Sequence, residues 1–92
     1  MLEKEIETKV KEYARNKGWL AYKFTSPGHS FVPDGLFISP KGIVLFMEFK
    51  QLGKKPTPGQ SREIARIIGH HTQCFVVDNA ERGKEIIDEN SR

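Results

Sequence analysis

One segment constrains the fold more than any other. In Phe31 to Lys50, FVPDGLFISPKGIVLFMEFK, two apolar runs flank Pro40-Lys41-Gly42. Proline suits the first corner of a type I turn, and glycine suits the left-handed position that closes a three-residue hairpin loop. With Ser39 facing Ile43, pairing continues as Ile38 with Val44, Leu36 with Phe46 and Asp34 with Glu48. Side chains alternate along a strand, so this register sets Asp34 across from Glu48 and puts Lys50 on their face. A two-residue loop would send Asp34 to the opposite face. The strand Ile43–Lys50 is apolar on both sides, with Val44 and Phe46 on one and Ile43, Leu45, Met47 and Phe49 on the other. Such a strand belongs inside a sheet covered on both faces.

The remaining chain supplies the cover. Leu2, Ile6, Val10, Tyr13 and Ala14 recur at helical spacing, and Gly18 can end that helix in a left-handed cap. Trp19–Phe24 and Gly35–Ser39 read as strands. Thr57-Pro58-Gly59-Gln60 has the form of a capping box, opening a helix with Ile64, Ala65, Ile67 and Ile68 that stops at Gly69. The buried strand QCFVVD follows, and Asp78 or Asn79 can cap a last helix through Ile86 and Ile87. Strand, helix, strand implies a right-handed crossover to a parallel neighbour. The expected architecture is one α/β domain over 1–92 in the order αβββαβα, a mixed sheet flanked by helices.

Composition excludes several classes. Cys74 is the single cysteine, so no internal disulfide forms and thiolates cannot build a zinc site; a lone thiol fits a reducing cytoplasm. No apolar run approaches the ~20 residues of a membrane span, and the charged start MLEKEIE is no signal peptide. A net charge of +3 is compatible with a polyanionic partner.

The hairpin ends carry the chemistry. Two neighbouring carboxylates repel, and each loses hydration beside Leu36 and Phe46; a divalent cation relieves both costs. Oxygen ligands with room for water suit Mg²⁺ or Mn²⁺ rather than zinc. Lys50 on the same face can orient or deprotonate a water held by the cation and neutralise phosphate charge. This is equipment for hydrolysing a phosphodiester. Taken alone, Pro-Asp at a strand entrance and Glu-x-Lys at a strand end are also common turn and surface patterns.

Pro33-Asp34 followed by Glu48-Phe49-Lys50 resembles the PD-(D/E)xK nuclease signature. The acidic first helix EKEIETKV, the loop KFTSPG before VPD and the stretch GKKPTPGQ after the last motif strand narrow the likeness to the VRR-NUC branch, from Glu3 to about Asp78. The resemblance implies a restriction-endonuclease-like αβββαβ(α) core. It implies metal ligation by Asp34, Glu48 and the backbone carbonyl of Phe49, with Lys50 acting on the water and Gln60 assisting from the next helix. A first-helix glutamate would complete the acidic cluster: Glu7, with Glu3 one turn earlier as its competitor. Lys23, Ser26, His29, Lys54 and Lys55 are the expected DNA contacts. Alternative roles are a snorkelling stem for Lys23, a turn for Ser26, solvated loops for His29, Lys54 and Lys55, and a helix cap for Gln60.

The function implied is a Mg²⁺- or Mn²⁺-dependent endonuclease leaving a 5′-phosphate. A twofold homodimer resembling Holliday-junction resolvases would face branched, four-way DNA, in a phage- or prophage-encoded role inside the bacterial cytoplasm. The rival expectations are a less selective monomeric nickase or flap nuclease, and a non-catalytic DNA-binding module. Leu2, Trp19 and Phe31 are candidate apolar contacts between copies.

Overall fold

The hairpin adopts the expected register. A computed structural model describes residues 1–92 as helix α1 (Glu3–Asn16), strands β1 (Leu20–Lys23), β2 (Gly35–Ile38) and β3 (Val44–Phe49), helix α2 (Pro58–Gly69), strand β4 (Gln73–Val77) and helix α3 (Ala80–Glu89). Leu36 pairs with Phe46 and Ile38 with Val44. The Ser39 N–H donates to the Ile43 carbonyl at 2.8 Å, and Gly42 closes the loop at φ +88. That left-handed corner is where a side chain would crowd the backbone, which is why glycine occupies it.

The four strands lie in the order β1-β2-β3-β4. The first two pairings are antiparallel, and β4 returns parallel to β3 after the α2 crossover, with Phe46 beside Cys74 and Glu48 beside Val76. The strands are shorter at their ends than the apolar runs suggest: Trp19, Ser39 and Lys50 fall just outside them.

Helices α1 and α3 cover one face. Ile6 and Val10 of α1, Ile86 and Ile87 of α3, and Phe37, Leu45, Met47 and Phe49 from the sheet are all fully buried there. Fully burying such side chains contributes about 1.5–3 kcal/mol each before conformational entropy is subtracted. Asn79 caps α3 by accepting from the Arg82 N–H at 2.8 Å, and Gly18 at φ +87 follows the end of α1. Trp19 belongs to this core and not to an outer surface: it is 3% exposed, and its indole N–H donates to Ser91 Oγ at 2.9 Å. Leu2, by contrast, sits at the N-cap of α1 and is exposed, outside the helix's buried stripe.

The other face is covered only in part. Helix α2 packs on β4, and its one buried residue is Gly59. Ile68 points outward, and Leu20, Tyr22 and Val44, on the sheet face that α2 shares, are all exposed. The expectation that β3 is covered on both sides holds for its C-terminal half; at Val44 the cover is missing.

Candidate active site

The partly covered face carries the charged residues. Pairing of Gly35 with Met47 continues the register outward, so Asp34 and Glu48 meet at the end of the β2–β3 ladder. Phe24 N–H donates to the Asp34 carbonyl at 2.7 Å, which places the start and the return of the loop between them side by side. Asp34 Oδ2 accepts from the Phe49 N–H at 3.0 Å, fixing the carboxylate against the strand that bears Glu48 and Lys50. Lys50 Nζ lies 3.4 Å from Glu48 Oε2. The structure therefore brings Asp34, Glu48 and Lys50 together.

Glu48 is the unusual member. It is 2% exposed, on a strand whose other buried residues are apolar. Burial pushes its carboxyl up to about 7; the charge of Asp34 adds to the push, Lys50 opposes it, and Glu3 adds a smaller contribution. A carboxylic acid held in this state ionises more readily when a cation arrives. No group of three or more His, Cys, Asp or Glu side chains is close enough to hold a metal ion. The donors the site does offer, the Asp34 and Glu48 carboxylates, are oxygens and few, a set of the kind that suits Mg²⁺ or Mn²⁺: such ions bind through one or two carboxylates and keep several waters. It does not fit zinc, which takes a closed set of nitrogen and sulfur ligands or three protein ligands around one open position.

The first-helix acids are not equivalent. Glu7 Oε2 accepts from Lys11 Nζ at 2.6 Å, and both side chains are largely sequestered. Glu3 is the helix acid whose charge reaches Glu48. Between α1 and the end of β1 runs a groove of about 650 Å³ lined only by polar and charged residues, among them Glu3, Glu7, Lys11, Arg15 and Lys23.

The remaining expected residues divide by location. Gln60 completes the capping box: its Oε1 accepts from the Thr57 N–H at 3.0 Å, and its own N–H donates to Thr57 Oγ1 at 3.3 Å. The Ser26 carbonyl accepts from the His29 N–H at 3.1 Å, forming a turn in the loop between β1 and β2. His29 pairs with Glu63 of α2, Nε2 to Oε1, at 2.8 Å. Lys54 and Lys55 lie on the exposed loop before α2, which is pinned where the Gly53 N–H meets Asp78 Oδ2 at 3.1 Å. Neither they nor Lys23 take part in any of the chain's ion pairs. His70 Nδ1 lies 2.7 Å from the Arg66 carbonyl, as part of a helix end.

Two features of this face went unread in the sequence. Glu63 anchors the β1–β2 loop, and Gly59 receives the ring of Phe31: a Cβ at Gly59 would stand 2.8 Å from three of its carbons. A glycine in the first turn of a capped helix costs helix stability, so Gly59 was a legible sign of close approach. Glu63 offered no such sign. Cys74, beneath this face, has its thiol pushed up to about 12 by burial, with the charges of Glu48 and Glu63 adding.

Comparison with known proteins agrees with this architecture. The chain is 43% identical over 79 residues to a protein named "Putative nuclease p44" from Acyrthosiphon pisum secondary endosymbiont phage 1, covering 86% of this chain and 85% of that protein. A solved structure described as a VRR_NUC domain superposes with a TM-score of 0.86 at 32% identity, covering 94% of each chain. No model of a protein family matches.

Proposed function

This chain belongs to the VRR-NUC nuclease family, and on that premise we propose that it is a divalent-metal-dependent DNA endonuclease centred on Asp34, Glu48 and Lys50. The observation that carries the reading is Glu48: a carboxylate almost fully out of water, beside a second carboxylate and a lysine. A buried cluster of this kind costs the fold stability, and such costs concentrate at functional sites.

Asp34 and Glu48 would hold the cation, with the Phe49 carbonyl as a further ligand. Of the first-helix acids, Glu3 is the one whose charge reaches Glu48, acting outside the ligand pair, while Glu7 is committed to Lys11. When bound, Mg²⁺ or Mn²⁺ supplies Lewis-acid charge at the scissile phosphate. The protein's own groups do the rest. The Phe49 N–H holds Asp34 in one orientation. Lys50 Nζ would orient the attacking water, take its proton when neutral and, as an ammonium, offset charge growing on the phosphate oxygens, while the P–O3′ bond breaks and the departing 3′-oxygen takes a proton from solvent, leaving a 5′-phosphate and a 3′-hydroxyl. Gln60 acts by fixing the start of α2 rather than in the chemistry. Lys23, Lys54 and Lys55, free of ion pairs, together with Ser26 and His29 on the intervening loop, are the DNA contacts.

One domain offers one such centre. The exposed Leu20, Tyr22 and Val44 on the open sheet face supply apolar surface for a twofold homodimer, which would match a branched, four-way substrate. No helix is long and apolar enough to cross a membrane, and the phage relative is consistent with action in the bacterial cytoplasm. The test is cleavage of plasmid, linear, flap and four-way DNA with and without Mg²⁺ or Mn²⁺, run beside a solution mass measurement. Lys50→Ala should lose about 10²–10⁴-fold in rate. Equal rates on every DNA, from a monomer, would replace the junction reading with an unselective nickase. Metal-independent binding without cleavage would leave a DNA-binding module.

A further inference from the structure

Phe31 combines three properties that do not ordinarily occur together. Its backbone sits at φ +70, in the left-handed region that a bulky aromatic rarely adopts and only under steric strain. The residue is nevertheless 53% exposed, so burial in the core does not offset the strain, whereas Phe37 and Phe49 are fully buried in unstrained strands. And its ring is supported from behind: it lies against Gly59, where any side chain would strike three of its carbons. Exposure of one aromatic means little by itself. A strained, half-exposed ring with a dedicated glycine support is a different object.

The surroundings say what would meet the free side of that ring. His29, Arg62, Glu63 and Arg66 line a depression of about 330 Å³ beside it. Glu63 is occupied by His29 at 2.8 Å and lies 3.9 Å from Arg66, while Arg62 makes no ion pair, so the depression presents net positive charge to a phosphate. The loop that carries the ring is tied at its base by the Phe24–Asp34 hydrogen bond and along its length by the His29–Glu63 pair. Phe31 thus stands three residues before Asp34 in a held position, with much of its ordering cost already met in the free protein.

We propose that Phe31 is a stacking platform for an unpaired base of the DNA substrate, with Arg62 and Arg66 gripping the adjoining phosphates. This rests on the nuclease reading and narrows its substrate. Bases inside a duplex already stack on their neighbours, so the exposed ring engages only a base freed at a branch, flap or gap. Stacking on an aromatic side chain is tolerant of base identity. The platform therefore selects DNA structure, not sequence.

The experiment uses the full chain carrying Lys50→Ala, so that binding is read without cutting. Two DNAs are compared: a forked duplex with 2-aminopurine at the unpaired position beside the branch, and a fully paired duplex of equal length. Binding of the fork should quench the 2-aminopurine. Adding Phe31→Leu should abolish the quench and weaken fork binding roughly 10-fold, within the range of a lost base stack, while duplex affinity stays within about twofold. Phe31→Trp should retain both quench and affinity. Gly59→Ala, which pushes the ring off its support, should weaken fork binding in the same selective way. If Phe31→Leu weakens both DNAs equally, the ring only props the loop, and the proposal falls. Fork binding with no quench overturns it as well. Failure of the Lys50→Ala chain to bind either DNA would overturn the nuclease reading together with it.

Discussion

The two faces of the sheet divide the labour of the molecule. Under α1 and α3 the fully buried side chains are apolar, and the charged Lys11 lies at the edge of α1, paired with Glu7. Under α2 the helix buries little of itself, several apolar side chains stay in water, and the buried group is a carboxylate. Both faces alternate from the same strands, so β3 carries Leu45, Met47 and Phe49 toward one and Phe46 and Glu48 toward the other. The difference teaches where stability and chemistry are stored. The first face holds the fold together well enough for the second to carry repelling charges.

Substitutions can break this division. The largest effect expected is on turnover: Asp34→Asn removes a charge from the metal site and should reduce metal-dependent cleavage to background, measured on plasmid nicking. The same variant should melt no lower than the parent in EDTA, since the Asn carbonyl can still accept from Phe49 and the repulsion on Glu48 is gone. A large fall in melting temperature would place Asp34 among the residues that hold the fold. On the opposite face the sign reverses: Phe37→Ala should cost about 3–5 kcal/mol by urea unfolding. At about 4–8 °C per kcal/mol for a domain of this size, that is a large fraction of its stability.

The next effect is smaller and depends on pH. A carboxyl raised from 4.5 to about 7 in the fold binds its proton more tightly there than in the unfolded chain. Stability in EDTA should therefore fall as pH rises from about 4.5 through 7, with a penalty of up to about 3 kcal/mol at about 1.4 kcal/mol per pH unit. Glu48→Gln should flatten that part of the profile and melt higher than the parent at pH 8. A parallel pair of curves would show that Glu48 is not the group responsible. The smallest effect expected is at Ile68, exposed on α2: Ile68→Lys should shift stability by no more than about 0.5 kcal/mol, against the several expected had it been buried.

The hairpin was legible because turn chemistry is local. Pro40, Lys41 and Gly42 determine the loop length, the loop length determines the register, and the register decides which side chains share a face. The capping box at Thr57 and Gln60 was readable for the same reason, and both of its hydrogen bonds are present. Contacts between elements far apart in the chain left no such trace. Nothing periodic links His29 to Glu63. Trp19 begins an aromatic run that does not itself say whether the ring is buried; its packing in the core and the bond from its indole N–H to Ser91, 72 residues on, are contacts that no local pattern announces. Glu3 and Glu7 lie one turn apart on the same flank of α1. Which of them faces the site depends on where the helix crosses the sheet, and on a lysine at position 11 that captures Glu7.

Cys74 has a practical corollary. A thiol that stays protonated far above neutral pH, and is screened by its neighbours, is a poor target for maleimides and iodoacetamides. The native chain is therefore close to silent toward such reagents, and a single cysteine placed at Gly28, where an added Cβ meets open space, would report alone. A fluorophore or spin label at that tip would report DNA arriving at the Phe31 loop, without the native cysteine first being removed.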